Sequence, residues 1–428
     1  MAYLSGRMGN YQIAEAPPYA GARFGFLHVH RFLFRTGLSI ANAFAWIFVF
    51  QYFAVITRTI PDALIATLAM YCVGQAVTIL LTPVSAAHLR RGSKHSLVFG
   101  ALLAGAAYVA LGATLSGTLN GGPIGLVSDF IKSPVDGPLG WGIAVFAVLL
   151  GAYRALYWIP YQLRASTEVH GRSRLPVVYE VLIALMPAFA GITMAVVPYA
   201  SLRLLFGSAV LIGMSLVPIL AIHEYFERFA WDYKETFRQL FKSSNRRLLT
   251  ASFGGGLQGT VLFLVWPISV FFIVGSDYKT LGAILSATFI AILLLRYAYR
   301  KFARQIRVER SVPVSVAFSV SGWLIRLFVG SPVGVILADS YSHVSSPRSS
   351  HSIDTLTFEQ SADNGSFIDE YTALKEIGLA VGRIAACFVF GLLLLWISLP
   401  MAFAIMIILA GIASAVSVIM ERPVVAGV

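Results

Sequence analysis

Charged residues are scarce in this sequence. Only 12% of its 428 residues are Asp, Glu, Lys or Arg, whereas 57% are hydrophobic, and the mean hydropathy is +0.77. A soluble globular protein carries about 25% charged and roughly 45–50% apolar residues, so this little charge cannot cover a water-facing surface. The chain is also far too apolar for intrinsic disorder. The composition excludes a soluble enzyme and indicates a polytopic membrane protein.

Cysteine is almost absent, and no cofactor motif takes its place. Cys72 and Cys387 both lie in apolar runs, so they form neither a disulfide framework nor a CxxC metal pattern. The sequence has no Walker-type phosphate motif and no HExxH, and the GxGxxG match at Gly254–Gly259 follows no strand. We therefore expect no cofactor and no enzymatic activity, and we interpret these glycines as a site of close helix packing or a bend.

Long apolar runs dominate the sequence instead. Each is near the length of about 20 residues that a membrane-spanning helix needs, and none alternates as a barrel strand does. We predict an all-α fold of two six-helix bundles with spans at 36–58, 62–84, 96–115, 138–159, 176–198, 201–222, 249–274, 278–299, 311–329, 332–347, 372–396 and 399–420. The tenth run is the weakest, because Asp339 interrupts it.

Basic residues concentrate in alternate connections. The even-to-odd connections contain groups such as Arg90–Lys94 and Arg300–Arg310, whereas the opposite ones contain only isolated cations such as Arg58 and Lys279. This asymmetry places the basic loops and both termini in the cytoplasm, in a bacterial inner membrane or one derived from it. It also accounts for the net charge of +12 without a nucleic-acid partner.

The same reading divides the chain into segments. We predict an interfacial N-terminal segment over 1–35, a first bundle over 36–222, a cytoplasmic linker with an amphipathic helix over 223–248, and a second bundle over 249–420. The second bundle contains a polar cytoplasmic loop over 345–371, and the tail covers 421–428.

Two short motifs resemble those of the major facilitator superfamily, as does the layout of six plus six spans. Between spans two and three, Arg90, Gly92 and Lys94 match that family's basic motif, while Leu89 stands where the family has Asp. In span five, Met186–Gly191 is similar to an element of the family's proton-coupled exporters. The resemblance, to a poorly characterised prokaryotic branch, implies the superfamily fold, alternating access, and a gating loop formed by the matching residues.

Ionisable residues inside spans are costly, by about 2.5–3.5 kcal/mol at mid-helix on insertion scales, so each requires a reason. Arg154 in span four is a candidate for binding an anionic substrate or a carboxylate partner, with snorkelling to the interface as the alternative. Asp339 and Arg383 are predicted to form an intramembrane pair. Asp339, with Glu180 and Glu376 behind it, is the candidate proton carrier.

Asp339 and His343 are four residues apart, so a helix places both on one face. Oxygen and imidazole ligands at this spacing are compatible with a divalent transition metal such as iron, although two ligands are an incomplete set. The resemblance implies that spans one, four and seven line a central cavity, which adds polar and aromatic candidates: Asn42, Gln51, Tyr153, Gln258 and Trp266.

These observations lead to a hypothesis of secondary active transport. We expect a monomer in the lipid bilayer that moves a small molecule or ion, with proton coupling, by alternating access. A divalent metal transporter is one alternative, and a non-transporting receptor or scaffold of the same fold is another. The sequence leaves the substrate and the direction of transport open.

Overall fold

The computed structural model describes residues 20–89, 92–119, 141–168, 177–197, 199–221, 231–302, 312–345 and 368–421. Within these ranges all regular secondary structure is helical. In the first half, α1 has two parts separated by a turn, and α6 is continued by a short segment. The bounds are α1 Ala20–Asn42 and Ala45–Thr57, α2 Ile60–His88, α3 Ser93–Leu119, α4 Trp141–Glu168, α5 Val177–Val196, and α6 Ala200–Met214 with Leu216–Leu220.

The second half begins with a linker helix, Tyr233–Leu240, and a 3-10 turn, Ser243–Asn245. Helix α7 contains a π-helical turn, and α9 ends in a 3-10 turn. The bounds are α7 Arg246–Thr260, Val261–Val265 (π) and Trp266–Ile273, α8 Tyr278–Phe302, α9 Val312–Leu324 with Ile325–Phe328 (3-10), α10 Pro332–Ser345, α11 Ile368–Trp396, and α12 Leu399–Glu421.

Ten helices in the described ranges are long and apolar enough to cross a membrane, namely α1 to α8, α11 and α12. The all-α, polytopic prediction is therefore confirmed, and the chain is an integral membrane protein. The count of twelve spans is not confirmed by length, since α9 is a shorter apolar helix and α10 has only 14 residues. A helix of 14 residues rises about 21 Å, which is less than the hydrocarbon thickness of about 30 Å.

Several helices extend beyond their apolar runs. Helix α1 begins at Ala20, within the segment predicted as interfacial, and α4 continues to Glu168, beyond the predicted end at 159. Apolar runs mark the part of a helix that matches the lipid, whereas backbone hydrogen bonding continues through the polar residues at its ends. The predicted segment boundaries themselves remain predictions.

The linker helix covers only Tyr233–Leu240 of the described part of the linker. Thr236 and Gln239 are its buried side chains, whereas Phe241, which directly follows it, is 84% exposed. Glu235 pairs with Arg238 at 2.6 Å on its surface. Within the linker helix itself, Tyr233 is exposed and Phe237 is half-buried, so its two aromatic residues do not form its buried face.

The helices run alternately between two faces. We call the face at which α2, α4 and α6 end the basic face, because Lys94, Arg238, Lys242, Arg246 and Arg247 lie there. The other face, called the opposite face, has the isolated cations Arg58, Arg203 and Lys279. At the opposite face Asp277 caps α8 by accepting from Thr280 N at 2.9 Å, and its hydrogen bonds from Thr280 hold the pKa of this carboxyl below its usual value.

The two halves contact each other along α2 with α11 and along α5 with α8. Near the basic face they meet in a basic-face cluster, which contains Ala86, Leu89, Ile159, Trp231, Leu248, Ala251, Tyr371, Ala373 and Leu374. Near the opposite face they meet in an opposite-face cluster, which contains Phe44, Phe48, Phe50, Phe272 and Tyr278. Side chains of both halves are therefore in contact near both faces.

Candidate functional site

Two arginines from different halves lie together at mid-membrane depth. Arg154 is midway along α4, and Arg383 is midway along α11. The Arg383 Nη1 donates to Gln75 Oε1 at 3.1 Å, and the Arg154 Cζ lies 5.5 Å from the centroid of the Tyr71 ring. Arg383 interacts electrostatically with both Tyr71 and Arg154. We call these four residues the arginine site.

Protein surrounds the arginine site on several sides. A Cβ added to Gly259 of α7 would lie 4.0 Å from Arg383 Nε, and Thr260 Oγ1 donates to the Arg383 carbonyl at 3.4 Å. The fully buried Tyr108 of α3 interacts electrostatically with Arg154. Both guanidinium-bearing side chains are nevertheless only half-buried. Because α2, α3, α4, α7 and α11 enclose them, we infer that their exposed surface faces space between the helices and not lipid.

The site carries an excess of positive charge. Among the residues that the structure describes, neither Arg154 nor Arg383 forms an ion pair with a carboxylate. Glu376, two turns from Arg383 on α11, is the acid that interacts electrostatically with Arg383. Arg154 lies deep in α4 because the helix extends to Glu168, so the predicted snorkelling path to the interface is longer than the sequence indicated.

Asp339 has a different partner from the predicted one. Its Oδ1 accepts from Arg326 Nε at 2.9 Å, and its Oδ2 accepts from Trp266 Nε1 at 3.1 Å. The Arg326 Cζ also lies 4.5 Å from the centroid of the Trp323 ring. The predicted pair of Asp339 with Arg383 is wrong, because Arg326 at the end of α9 is next to α10 in the chain, whereas Arg383 faces α2.

This network changes the interpretation of Asp339. Both carboxylate oxygens already accept hydrogen bonds from cationic or indole donors, and the side chain is 14% exposed. His343, the predicted second metal ligand, is exposed. The described parts of the chain contain no group of three or more His, Cys, Asp or Glu side chains that could hold a metal ion. The metal role of Asp339 and His343 remains a prediction.

The other cavity candidates are distributed over several helix contacts. Asn42 accepts from Tyr108 Oη at 2.7 Å, and Gln51 accepts from Tyr278 Oη, which links α1 to α8 across the two halves. Gln258 donates to Gly254 O and to Ser417 Oγ, both at 3.2 Å, and so joins α7 to α12. Tyr153 is buried against the Phe34 ring, whereas Trp266 is buried with the Arg326 guanidinium over its ring. Of these candidates, Asn42 adjoins the arginine site through Tyr108, and Tyr153 interacts electrostatically with Arg154 itself.

The two remaining acidic candidates differ in depth. Glu180 is half-buried in the first turn of α5, close to the basic face. Glu376 is 6% exposed and lies on the path from the basic-face cluster to Arg383. Geometry therefore favours Glu376 over Glu180 as a group that can act on the arginine site.

The predicted gating loop is described in part. Arg90 lies outside the described residues. Gly92 has φ +124°, a left-handed conformation that favours glycine. Lys94 Nζ donates to the Leu220 carbonyl at 2.5 Å, which places a cation at the C-terminal end of α6, where the helix dipole favours it.

Sequence reasoning missed Tyr71, Gln75, Tyr278 and Arg326. Gln75 and Arg326 each carried a readable signal, since each is a strongly polar residue within an apolar run. Arg326 is also separated from Asp339 by only one short connection, which makes it the local partner. Tyr71 and Tyr278 carried no such signal, because aromatic residues are common throughout this chain.

Comparison with solved structures addresses the fold. A crystal structure of a bacterial homologue of the iron transporter ferroportin, in an inward-facing state, matches with a TM-score of 0.61 at 15% identity, covering 94% of this chain and 98% of the other. The nucleoside transporter NupG matches with a TM-score of 0.56 at 12% identity, covering 92% and 98%. The chain has the fold of the major facilitator superfamily.

This superfamily fold confirms the resemblance inferred from the motifs. No family model and no curated protein matches the sequence itself. At these identities the likeness establishes the fold alone, and the two matched proteins differ in what they carry. The substrate must therefore be argued from the residues of this chain.

Proposed function

We propose that this protein is a secondary transporter that moves a small solute by alternating access. In this proposal it lies in a bacterial inner membrane with both termini in the cytoplasm, where the positive-inside rule places the basic face. Transport of this kind needs a solute site between two halves that open in turn to either side. The proposal is a stronger statement than the fold, because scaffolds and receptors can share a fold without transporting anything.

The position of the arginine site is the observation that carries the proposal. The site joins Tyr71, Gln75 and Arg154 of the first half to Arg383 of the second half. It lies between the basic-face cluster and the opposite-face cluster, each of which contains side chains from both halves. Opening either cluster while the other stays packed would expose the same polar site to one side of the membrane at a time.

Glu376 is the acid that we propose for proton coupling. It interacts electrostatically with Arg383 and is nearly inaccessible in the closed structure. Protonation of Glu376 would remove its charge from the neighbourhood of Arg383 and so change the electrostatics of the site. Asp339 is a weaker proposal for this role, because Arg326 and Trp266 already bond to both of its carboxylate oxygens and it does not contact the arginine site.

Double electron–electron resonance on the purified protein in lipid nanodiscs tests alternating access. One spin-label pair, Arg58→Cys with Lys279→Cys, reports on the opposite face, and a second pair, Ala221→Cys with Arg246→Cys, reports on the basic face. All four positions are exposed. The background is Cys72→Ala/Cys387→Ala, which removes the native thiols. We expect each pair to show a short and a long distance whose populations change reciprocally with pH.

A control pair within one half, Arg58→Cys with Arg203→Cys, should give a single distance under every condition. Constant distances for both cross-half pairs between about pH 5 and 8 would contradict alternating access and favour the scaffold alternative. Simultaneous lengthening of both pairs would also contradict it, since it would indicate separation of the halves.

The metal alternative rests on one observation, the spacing of Asp339 and His343 on α10. A metal would have to displace Arg326 and Trp266 from the Asp339 oxygens. Uptake of Co²⁺ into proteoliposomes that is lost in both His343→Ala and Asp339→Asn would support it. Uptake that does not depend on His343 would exclude this pair as the metal site.

A further inference from the structure

We propose that the arginine site binds a small organic solute through an oxyanion group, held between Arg154 and Arg383. This inference rests on the proposed transport function and adds the chemical class of the solute to it. A guanidinium presents several N–H donors in a plane and binds carboxylate or phosphate oxygens in pairs. The shared chemistry of the predicted ligand is therefore a carboxylate or a phosphate.

The first argument is uncompensated charge. A guanidinium at mid-membrane depth is costly, and cations in this position are normally paired with an anion. Arg326 illustrates the usual solution in this same protein, since Asp339 accepts from it at 2.9 Å. Arg154 and Arg383 have no such carboxylate among the described residues, although they interact with each other. An anionic ligand would supply the missing charge.

The second argument is the direction of the donors. The Arg383 Nη1 donates to Gln75, and this bond holds the guanidinium against α2. The Tyr71 ring, over which the Arg154 guanidinium lies, is on the same helix. Arg154 comes from the first half and Arg383 from the second. An oxyanion that accepts from both would join the two halves, and its departure would restore the repulsion between them. Binding of the oxyanion is thereby linked to the contact between the two halves, which alternating access must break and form again.

The third argument concerns the remainder of the solute. The ring of Tyr71 packs against Trp46 at a centroid distance of 5.0 Å, and Trp46 packs against Phe146 at 5.4 Å. These side chains are all buried. Apolar walls with a few placed polar groups are typical of small-molecule sites, and they also strengthen the ionic contacts by excluding water. The surroundings favour an organic anion over a hydrated inorganic ion.

Isothermal titration calorimetry on the wild-type protein in nanodiscs tests this inference. The oxyanion probes are acetate, succinate, benzoate and inorganic phosphate, and the matched probes without an oxyanion are benzylamine and benzyl alcohol. We expect at least one carboxylate or phosphate probe to bind and the amine and the alcohol not to bind. The carboxylate and phosphate arms distinguish the two sources of the oxyanion.

Variants then locate the binding. Arg154→Gln and Arg383→Gln should each raise the Kd of the bound probe at least about tenfold, since a hydrogen bond to a charged group contributes about 1.5–3 kcal/mol. Arg154→Lys and Arg383→Lys keep the charge and should weaken binding less. Arg203→Gln removes an equal charge from the exposed opposite face and should leave the Kd unchanged.

Two results would overturn the inference. One is the absence of binding by every oxyanion probe to folded wild-type protein. The other is oxyanion binding that both glutamine variants retain, or, if those variants do not fold, that both lysine variants retain at full strength. Probe binding without reciprocal distance changes would contradict the transport proposal alone, whereas reciprocal changes without oxyanion binding would contradict this inference alone.

Discussion

At the scale of single residues, burial decides what a charge can do. The Arg326 side chain is only 3% exposed, and its partners Asp339 and Trp266 bring together α7, α9 and α10. The Nη1 atom of Arg326 is buried without a hydrogen-bond partner. The hydrogen-bonding capacity of the Arg326 guanidinium is therefore only partly used. Loss of either member of the ion pair would leave an unpaired charge in a buried position.

We predict that Asp339→Asn and Arg326→Gln each destabilise the protein by about 3–5 kcal/mol, the usual cost of removing one member of a buried pair. The double variant should lose much less than the sum, because it leaves no isolated charge. Thermal unfolding in detergent measures all three changes. Arg238→Gln, which breaks an ion pair whose arginine is 73% exposed, is the control and should remain close to wild type. Strictly additive losses would show that the two residues do not interact.

At the scale of helices, small residues set how closely the backbones approach. A Cβ added to Gly256 of α7 would lie 2.1 Å from the Leu379 carbonyl oxygen of α11, and one added to Gly382 would lie 2.1 Å from the Phe253 oxygen. The glycine-rich segment therefore serves helix packing, as the sequence analysis expected. The π-helical turn Val261–Val265 follows directly and interrupts the regular α-helical hydrogen bonding of α7.

We predict that Gly256→Ala lowers the thermal stability of the purified protein or prevents its folding, because the new methyl group meets rigid backbone. Gly207→Ala in α6 is the matched control. A Cβ at Gly207 would have nothing within 4 Å, so this variant should unfold at the wild-type temperature or slightly above it. Equal stability of the two variants would mean that α7 and α11 are not in backbone contact at Gly256.

At the scale of the whole molecule, the contact between α2 and α11 joins the two halves. Cys72 and Cys387 lie on these helices with their thiols close to each other, and neither forms a disulfide. Both cysteines lie on the opposite-face side of Gln75 and Arg383, which form the hydrogen bond between the same two helices. A covalent link here would hold the opposite face closed.

We predict that copper–phenanthroline oxidises this pair to a disulfide, with the oxidant accepting the two electrons and two protons leaving the thiols. The number of thiols accessible to maleimide under denaturing conditions should fall from two to none. Hydrogen–deuterium exchange should slow in Ala45–Thr57 and at the start of α8. Dithiothreitol should reverse both effects, and Cys72→Ser should abolish them. Unchanged exchange in the oxidised protein would show that this contact does not limit opening.

The sequence was sufficient to predict the fold because apolar runs of similar length recur along the whole chain. Apolar runs of spanning length and the loop charges predicted the helices of the superfamily fold with no tertiary information. The partner of Asp339 was not predictable in this way, because it depends on which faces of α9, α10 and α11 meet. Two of the four residues of the arginine site, Arg154 and Arg383, were candidates from the sequence. Arg154 was identified by its cost in the membrane, and Gln75 carried a similar polar signal that was not used. Tyr71 became visible only when α2 was placed beside α4 and α11.

The π-helical turn in α7 divides that helix into two parts with different attachments. The part before it, Arg246–Thr260, is held by backbone contact to α11, while Trp266 in the part after it is hydrogen bonded to α10. A tilt at this turn would therefore move the second part of α7 together with α10 and the ion pair of Asp339. Arg383 on α11 would stay in place. In the proposed transport cycle, the segment that opens the opposite face would then be only the second part of α7 together with α10, so a modest local movement would suffice to admit or release a solute.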